Sequence, residues 1–232
     1  MAGVITHMVI AREIEKRLEK GKLKDVGLFY LGNLAPDSIH AREGYVRSYK
    51  MHTHLREGIP DKDFGREENI ELFHERVARF IICNRERRDG LLDLYRGYTV
   101  HLLTDELFML TIRAEFCEIM KARGILQSDP LFFEYIVTDM NRNDLLLVKD
   151  YEGCEEIRRY LEQVPIYPVE GYLSEKEMSI SREWLVRQHF NEKYELERPG
   201  YITYERMLQF IAMAAEDIVE RLSEGGSLPR MF

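Results

Sequence analysis

Gly97-Tyr98-Thr99-Val100-His101-Leu102-Leu103-Thr104-Asp105 sets a histidine and a carboxylate four residues apart inside an apolar run. Leu91, Leu94 and Tyr98 lead into it at helical spacing, and the pattern continues through Ile112 and Phe116 towards Gly124. On a helix, positions i and i+4 share one face with Cβ atoms about 5–6 Å apart. A polar pair on an apolar helix face is costly unless something satisfies it. A metal ion between the two would do so. A plain hydrogen-bonded His–Asp pair in the core is the alternative that the spacing leaves open. Further donors lie elsewhere in the chain: His7, Asp37 and the pair His52/His54.

Outward from that run, the apolar spacing is helical almost throughout. A first helix is expected from Thr6 as N-cap to near Gly21, with the stripe His7, Ile10, Ala11, Ile14 and Leu18 turned inward. Leu31-Gly32-Asn33-Leu34-Ala35-Pro36-Asp37-Ser38 is rich in breakers and reads as a loop. A short helical piece carries Tyr45, Tyr49 and His52, and Glu67 to Asn84 forms an amphipathic helix. Pro130 can open another helix from its first turn. Glu155 to Gln163 is a charged helix before the extended break Pro165-Ile166-Tyr167-Pro168. Ser174-Glu175-Lys176-Glu177 matches a capping box. The last helix starts near Thr203 and stops at Gly225-Gly226. The expectation is an all-α multi-helical bundle: one domain over 1–232, with a metal-site core in 1–125 and a C-terminal helical extension, 126–232, packed on it.

Composition excludes several classes. The 232 residues carry a formal charge of -8, which leaves no overall electrostatic footprint for nucleic acid. Arg85-Glu86-Arg87-Arg88 is the one basic cluster and reads as a solvated helix end. Cys83, Cys117 and Cys154 form no C-x-x-C spacing, so a cysteine zinc site is not expected, and the odd count fits a reducing compartment. No apolar run approaches the ~20 residues of a membrane-spanning helix, and the first residues lack a secretory signal pattern. A cytoplasmic location is the simplest expectation.

Several histidines with aspartates suit zinc, or another transition metal, before magnesium or calcium. The order of elements then carries a resemblance. Thr6-His7, Gly32-x-x-Ala35-Pro36-Asp37, Thr53-His54-Leu55 and Gly97-x-x-x-His101-x-x-x-Asp105 occur in the sequence seen in the zinc-dependent phospholipase C family, whose fold single-strand-specific nucleases share. The resemblance spans roughly residues 5–110. It implies an all-helical fold with metals between helices. It also implies that His54, His101, Asp105 and Asp37 form one zinc site, that Asp37 is the general base or water-orienting group, and that His7 binds a neighbouring zinc with Asp105 as bridge. His54 is favoured over His52 because Thr53-His54-Leu55 resembles the family's Ser-His-Phe. His52 and His40 stand as substitutes or supporting donors.

The chain also departs from that pattern. The family has a further histidine and a His-x-x-x-Glu pair downstream; here only His189 follows His101, and His189-Phe190-Asn191-Glu192-Lys193 has no glutamate four residues on. One zinc ion, or at most two, is therefore expected. The implied function is hydrolysis of a small-molecule phosphate ester; the alternative is a non-catalytic descendant that binds a partner or small molecule around a structural metal or none. A phosphohydrolase of the adjacent His-Asp type is set aside, because no such dipeptide occurs. Lys50 reads as a surface lysine, with attraction of phosphate as the sharper alternative. Trp184 reads as an anchor, His74 as a rim residue, and Glu106 as a group turned about 100° from Asp105. Substrate and oligomeric state are not legible.

Overall fold

The computed structural model describes residues 2–190 and 197–232, and these are all-helical apart from one antiparallel bridge, Val169 to Leu173. The helices are α1 (Val4–Arg17), α2 (Val26–Leu34), α3 (Arg47–Thr53), α4 (Glu67–Asn84), α5 (Leu92–Leu110), α6 (Ile112–Lys121), α7 (Pro130–Asp150), α8 (Cys154–Gln163), α9 (Glu175–Trp184) and α10 (Tyr204–Leu222). A 3₁₀ segment, Ala35–Ala41, continues α2, a short one spans Asp61–Asp63, and a π-turn, Leu185–His189, extends α9. No helix among the described residues is long and apolar enough to cross a membrane.

Helix α5 is the axis. It is buried on almost every side from Asp93 to Met109, which is the pattern of a helix surrounded by others. Its most extensive partner is α2, and α4, α6, α10 and α1 pack around the rest. Helix α10 turns Met207, Phe210, Ala214, Ile218 and Leu222 towards α1 and α5, so the C-terminal helix is part of the same core.

The expected loop at Leu31–Ser38 is instead the end of α2 and the start of the 3₁₀ segment. Gly32 is there for close approach, not for a turn. A Cβ on Gly32 would lie 1.9 Å from the Leu94 carbonyl oxygen, and one on Gly97 would lie 1.9 Å from that of Phe29. Only glycine at both positions lets the two backbones touch.

The start of α1 also differs from the expectation. Its N-cap is Gly3, and the helix ends at Arg17 rather than near Gly21. Thr6 lies inside the first turn, and the capping is done from a distance. Asp144 on α7 accepts hydrogen bonds from the backbone N–H of Ile5 (2.9 Å) and Thr6 (3.0 Å) and from the Thr6 hydroxyl (2.8 Å). A carboxylate at a helix N-terminus satisfies open donors and the helix dipole together. Asp144→Ala is expected to destabilise the protein by about 1–3 kcal/mol, measured as a shift in urea midpoint, because buried donors lose their acceptor. His7 sits one residue further on, so this contact also sets the position of His7.

The other boundaries follow local signals. Helix α4 spans Glu67–Asn84 as its stripe requires. Pro130 opens α7 behind the Asp129 cap, Ser174 and Glu177 form the capping box of α9, and Thr203 caps α10.

Candidate metal centre

Four segments converge on the middle of α5. His101 and Asp105 come from α5, His7 from the first turn of α1, Asp37 from the 3₁₀ segment, and His54 from the end of α3. His7, His54, His101 and Asp105 are all at least 98 % buried, while the Asp37 side chain keeps 19 % exposure.

Each histidine is aimed by a backbone feature. Pro36 has no N–H to offer the carbonyl three residues earlier, and that carbonyl, of Asn33, accepts from His101 Nδ1 at 2.8 Å. At the end of α3 the Lys50 carbonyl accepts from both the His54 backbone N–H (3.0 Å) and His54 Nδ1 (2.9 Å). The turn after His54 is a Schellman motif: Arg56 N–H bonds Met51 O, and Leu55 N–H bonds His52 O. Its left-handed position is filled by Leu55, at φ 55°, where glycine is usual. A left-handed non-glycine residue costs roughly 1–2 kcal/mol, and such strain gathers at functional sites. Tyr98 OH ties the same corner to α5 through the Thr53 carbonyl.

These bonds decide the tautomers. With Nδ1 of His54 and of His101 each donating to a carbonyl, both Nε2 atoms present lone pairs. They face one another at 3.2 Å. Two lone pairs at that distance repel unless a cation lies between them. The carboxylates complete the shell: His54 Nε2 is 3.4 Å from Asp37 Oδ1 and 3.5 Å from Asp105 Oδ2, and His101 Nε2 is 3.9 Å from Asp105 Oδ2. Tetrahedral zinc with bonds of about 2.0–2.2 Å needs donor atoms about 3.3–3.6 Å apart. The histidine and carboxylate donors are of the types zinc takes, and the four separations, 3.2–3.9 Å, lie around that range.

His7 meets the other oxygen of the same carboxylate, Asp105 Oδ1, at 3.3 Å, and its ring stacks on His101 at 3.9 Å between centroids. Ala2 N–H donates to that oxygen at 3.2 Å. Both His7 ring nitrogens and Asp105 Oδ2 are buried with no hydrogen-bond partner among the described residues. Two overlapping groups thus have ligand atoms within 4.8 Å of one another: Asp37, His54 and His101, and His7, His101 and Asp105.

The electrostatics keep the donors in binding form. Burial alone would raise the Asp37 carboxyl, but the Lys50 ammonium beside it holds it well below the usual carboxylate range. Burial likewise opposes ionisation of Asp105, and the close approach of His7 outweighs it, so the carboxyl stays below the usual range. Burial lowers His101 and His54, so both rings stay neutral and able to ligate.

Other candidates fall outside the cluster. His52 is half-buried and bonds Glu57 and the Gly171 carbonyl. His40 packs edge-on against Tyr45 at 4.9 Å. His189 is turned to Asp144, with Nε2 3.7 Å from Oδ2, and stands apart from the five-residue cluster. Asn191, Glu192 and Lys193 lie outside the described residues. Glu106 is buried, held by Arg221 at 2.9 Å and by His74 at 2.5 Å, so it ties α5 to α10 and α4.

Lys50 departs from the expectation. It is not a surface lysine: it is 5 % exposed, and its ammonium pairs with Asp37 Oδ1. Its position two residues before a histidine pair carried no signal of this, because its partner is on a different segment.

Two cavities meet at Asp37, His40 and Gly3, of about 760 and about 930 Å³. Trp184, Ile180 and His189 line the smaller, and Lys50, Lys62, Arg113 and Phe133 line the larger. Asp37 is thus the member of the cluster that reaches both. No protein-family model, curated protein or solved structure matches this chain.

Proposed function

We propose that the protein is a metal-dependent hydrolase of phosphate esters, similar to the zinc-dependent phospholipases C, holding one zinc ion with His54, His101, Asp105 and Asp37. The observation that carries this reading is the pair of Nε2 lone pairs facing at 3.2 Å beside one buried carboxylate, Asp105, and one that reaches the cavities, Asp37. His7 lies adjacent, at the second oxygen of Asp105. Zinc, when bound, supplies Lewis acidity: it polarises a phosphoryl oxygen and acidifies water. The chain supplies the rest. Asn33 O and Lys50 O fix the two rings, and burial by α1, α2 and α5 excludes bulk water from their far sides. Asp37, at the junction of the cavities, orients the attacking water. Three cysteines free of disulfide pairing accord with a cytoplasmic location.

A second reading, a non-catalytic protein built round a structural metal, is favoured by one observation: His189, the sole histidine after His101, sits on Asp144 and outside the cluster. One experiment separates them. Protein purified without added metal is assayed for zinc and for hydrolysis of bis(p-nitrophenyl) phosphate and p-nitrophenyl phosphate, with and without chelator. The expected result is close to one zinc per chain and hydrolysis abolished by chelator. Asp37→Asn is expected to lower turnover on the order of 100-fold while zinc content falls far less. Zinc retained without hydrolysis of either ester would establish the structural reading instead.

A further inference from the structure

We propose that Lys50 is a phosphoryl-binding residue, the fixed cation that holds an anionic oxygen of the substrate beside the metal centre. The proposal rests on the phosphoester reading and names the group that the resemblance to known phospholipases does not supply.

Three observations carry it. First, the Lys50 side chain is 7 % exposed, yet it lines the larger cavity together with Asp37. Burying a lysine this deeply at a surface helix is costly unless the ammonium is satisfied. Second, an ammonium has three protons to donate, and only Asp37 accepts from it among the described residues. The remaining donor capacity lies where the cavity is. Third, the charges leave a role for an anion. On formal charges, the carboxylates of Asp37 and Asp105 and the ammonium of Lys50 leave one net negative charge. A divalent ion turns that into one net positive charge, which attracts a phosphoryl group only once the ion is loaded. A second divalent ion would add two more positive charges with no further carboxylate in the cluster to offset them. Lys50 therefore stands as the second cation of a site that holds a single metal.

The wall beyond Lys50 has matching chemistry. Lys62 and Arg113 line the same cavity, as do Arg47 and Asp61, which pair with each other, so cations outnumber carboxylates along it. On a chain of net charge -8, that local excess of positive charge favours an anionic ligand there.

The probe is inorganic phosphate, titrated calorimetrically into zinc-loaded protein freed of excess metal. Wild type is expected to bind it. Lys50→Met, which keeps length and removes charge, is expected to retain zinc and to weaken phosphate binding between about 10- and 100-fold, as a charge-assisted hydrogen bond is lost. Lys50→Arg is expected to recover most of that loss. Should Lys50→Met fail to fold, the wild-type ζ-ammonium ¹⁵N signal of Lys50 provides the measurement: it should shift on adding phosphate. Phosphate affinity unchanged in zinc-loaded Lys50→Met, or an unmoved ammonium signal in wild type with phosphate bound, would overturn the assignment. So would zinc loss in Lys50→Met with phosphate binding per loaded site unaltered, since Lys50 would then merely hold Asp37. Absence of phosphate binding by zinc-loaded wild type would instead remove the phosphoester reading itself.

Discussion

Asp105→Asn is expected to lower zinc affinity by about 100-fold or more while leaving the helical fold in place. Asparagine keeps the size of the side chain and removes its charge. Asp105 faces both sides of the centre: Oδ2 faces His54 and His101, and Oδ1 faces His7. Losing even a supporting residue of a metal site commonly costs 10–100-fold, and a carboxylate between two groups of ligands should cost at least as much. Competition with a chelator of known affinity measures the change, with far-ultraviolet circular dichroism as the check on folding. His101→Ala should match it in zinc affinity and cost about 2–4 kcal/mol of stability besides, because it opens a cavity under His7 and strands the Asn33 carbonyl. Wild-type zinc affinity in both variants would end the metal assignment.

The second large effect lies at the crossing that builds the centre. Gly32→Ala and Gly97→Ala are each expected to cost more than about 3 kcal/mol, enough to unfold much of the population at 37 °C. The added Cβ would sit 1.9 Å from a backbone carbonyl in each case, so relief requires moving a helix and not a side chain. Such a shift also withdraws Asn33 from His101, so zinc binding should fall with stability. Gly21→Ala is the control. Gly21 has φ 87° but nothing within 4 Å of its would-be Cβ, so only backbone strain of about 1 kcal/mol is expected. Urea midpoints decide it: variants at 32 and 97 no worse than the one at 21 would mean that α2 and α5 can separate without loss.

Much of this architecture is written in local signals. The repeat of apolar residues over Glu67–Asn84 specifies α4, Pro130 behind Asp129 starts α7, and Ser174 with Glu177 caps α9, because each depends on contacts within a turn or two of chain. The four-residue spacing of His101 and Asp105 likewise sets them on one face from sequence alone. What local spacing cannot express is which distant group a side chain will meet. Gly32 looks like a breaker until Leu94 lies against it. Thr6 looks like a cap until Asp144, 138 residues away, takes that role. His52 and His54 are equal candidates by type, and only the Schellman turn at Leu55 sends His54 inward and leaves His52 on Glu57. Lys50 belongs to the same class. Its ammonium is buried because Asp37, thirteen residues earlier, is brought beneath it by the 3₁₀ segment after α2. Periodicity and capping settled which segments are helices; the approach of α2 to α5, permitted by two glycines, decided where their polar residues meet and hence what the centre can hold.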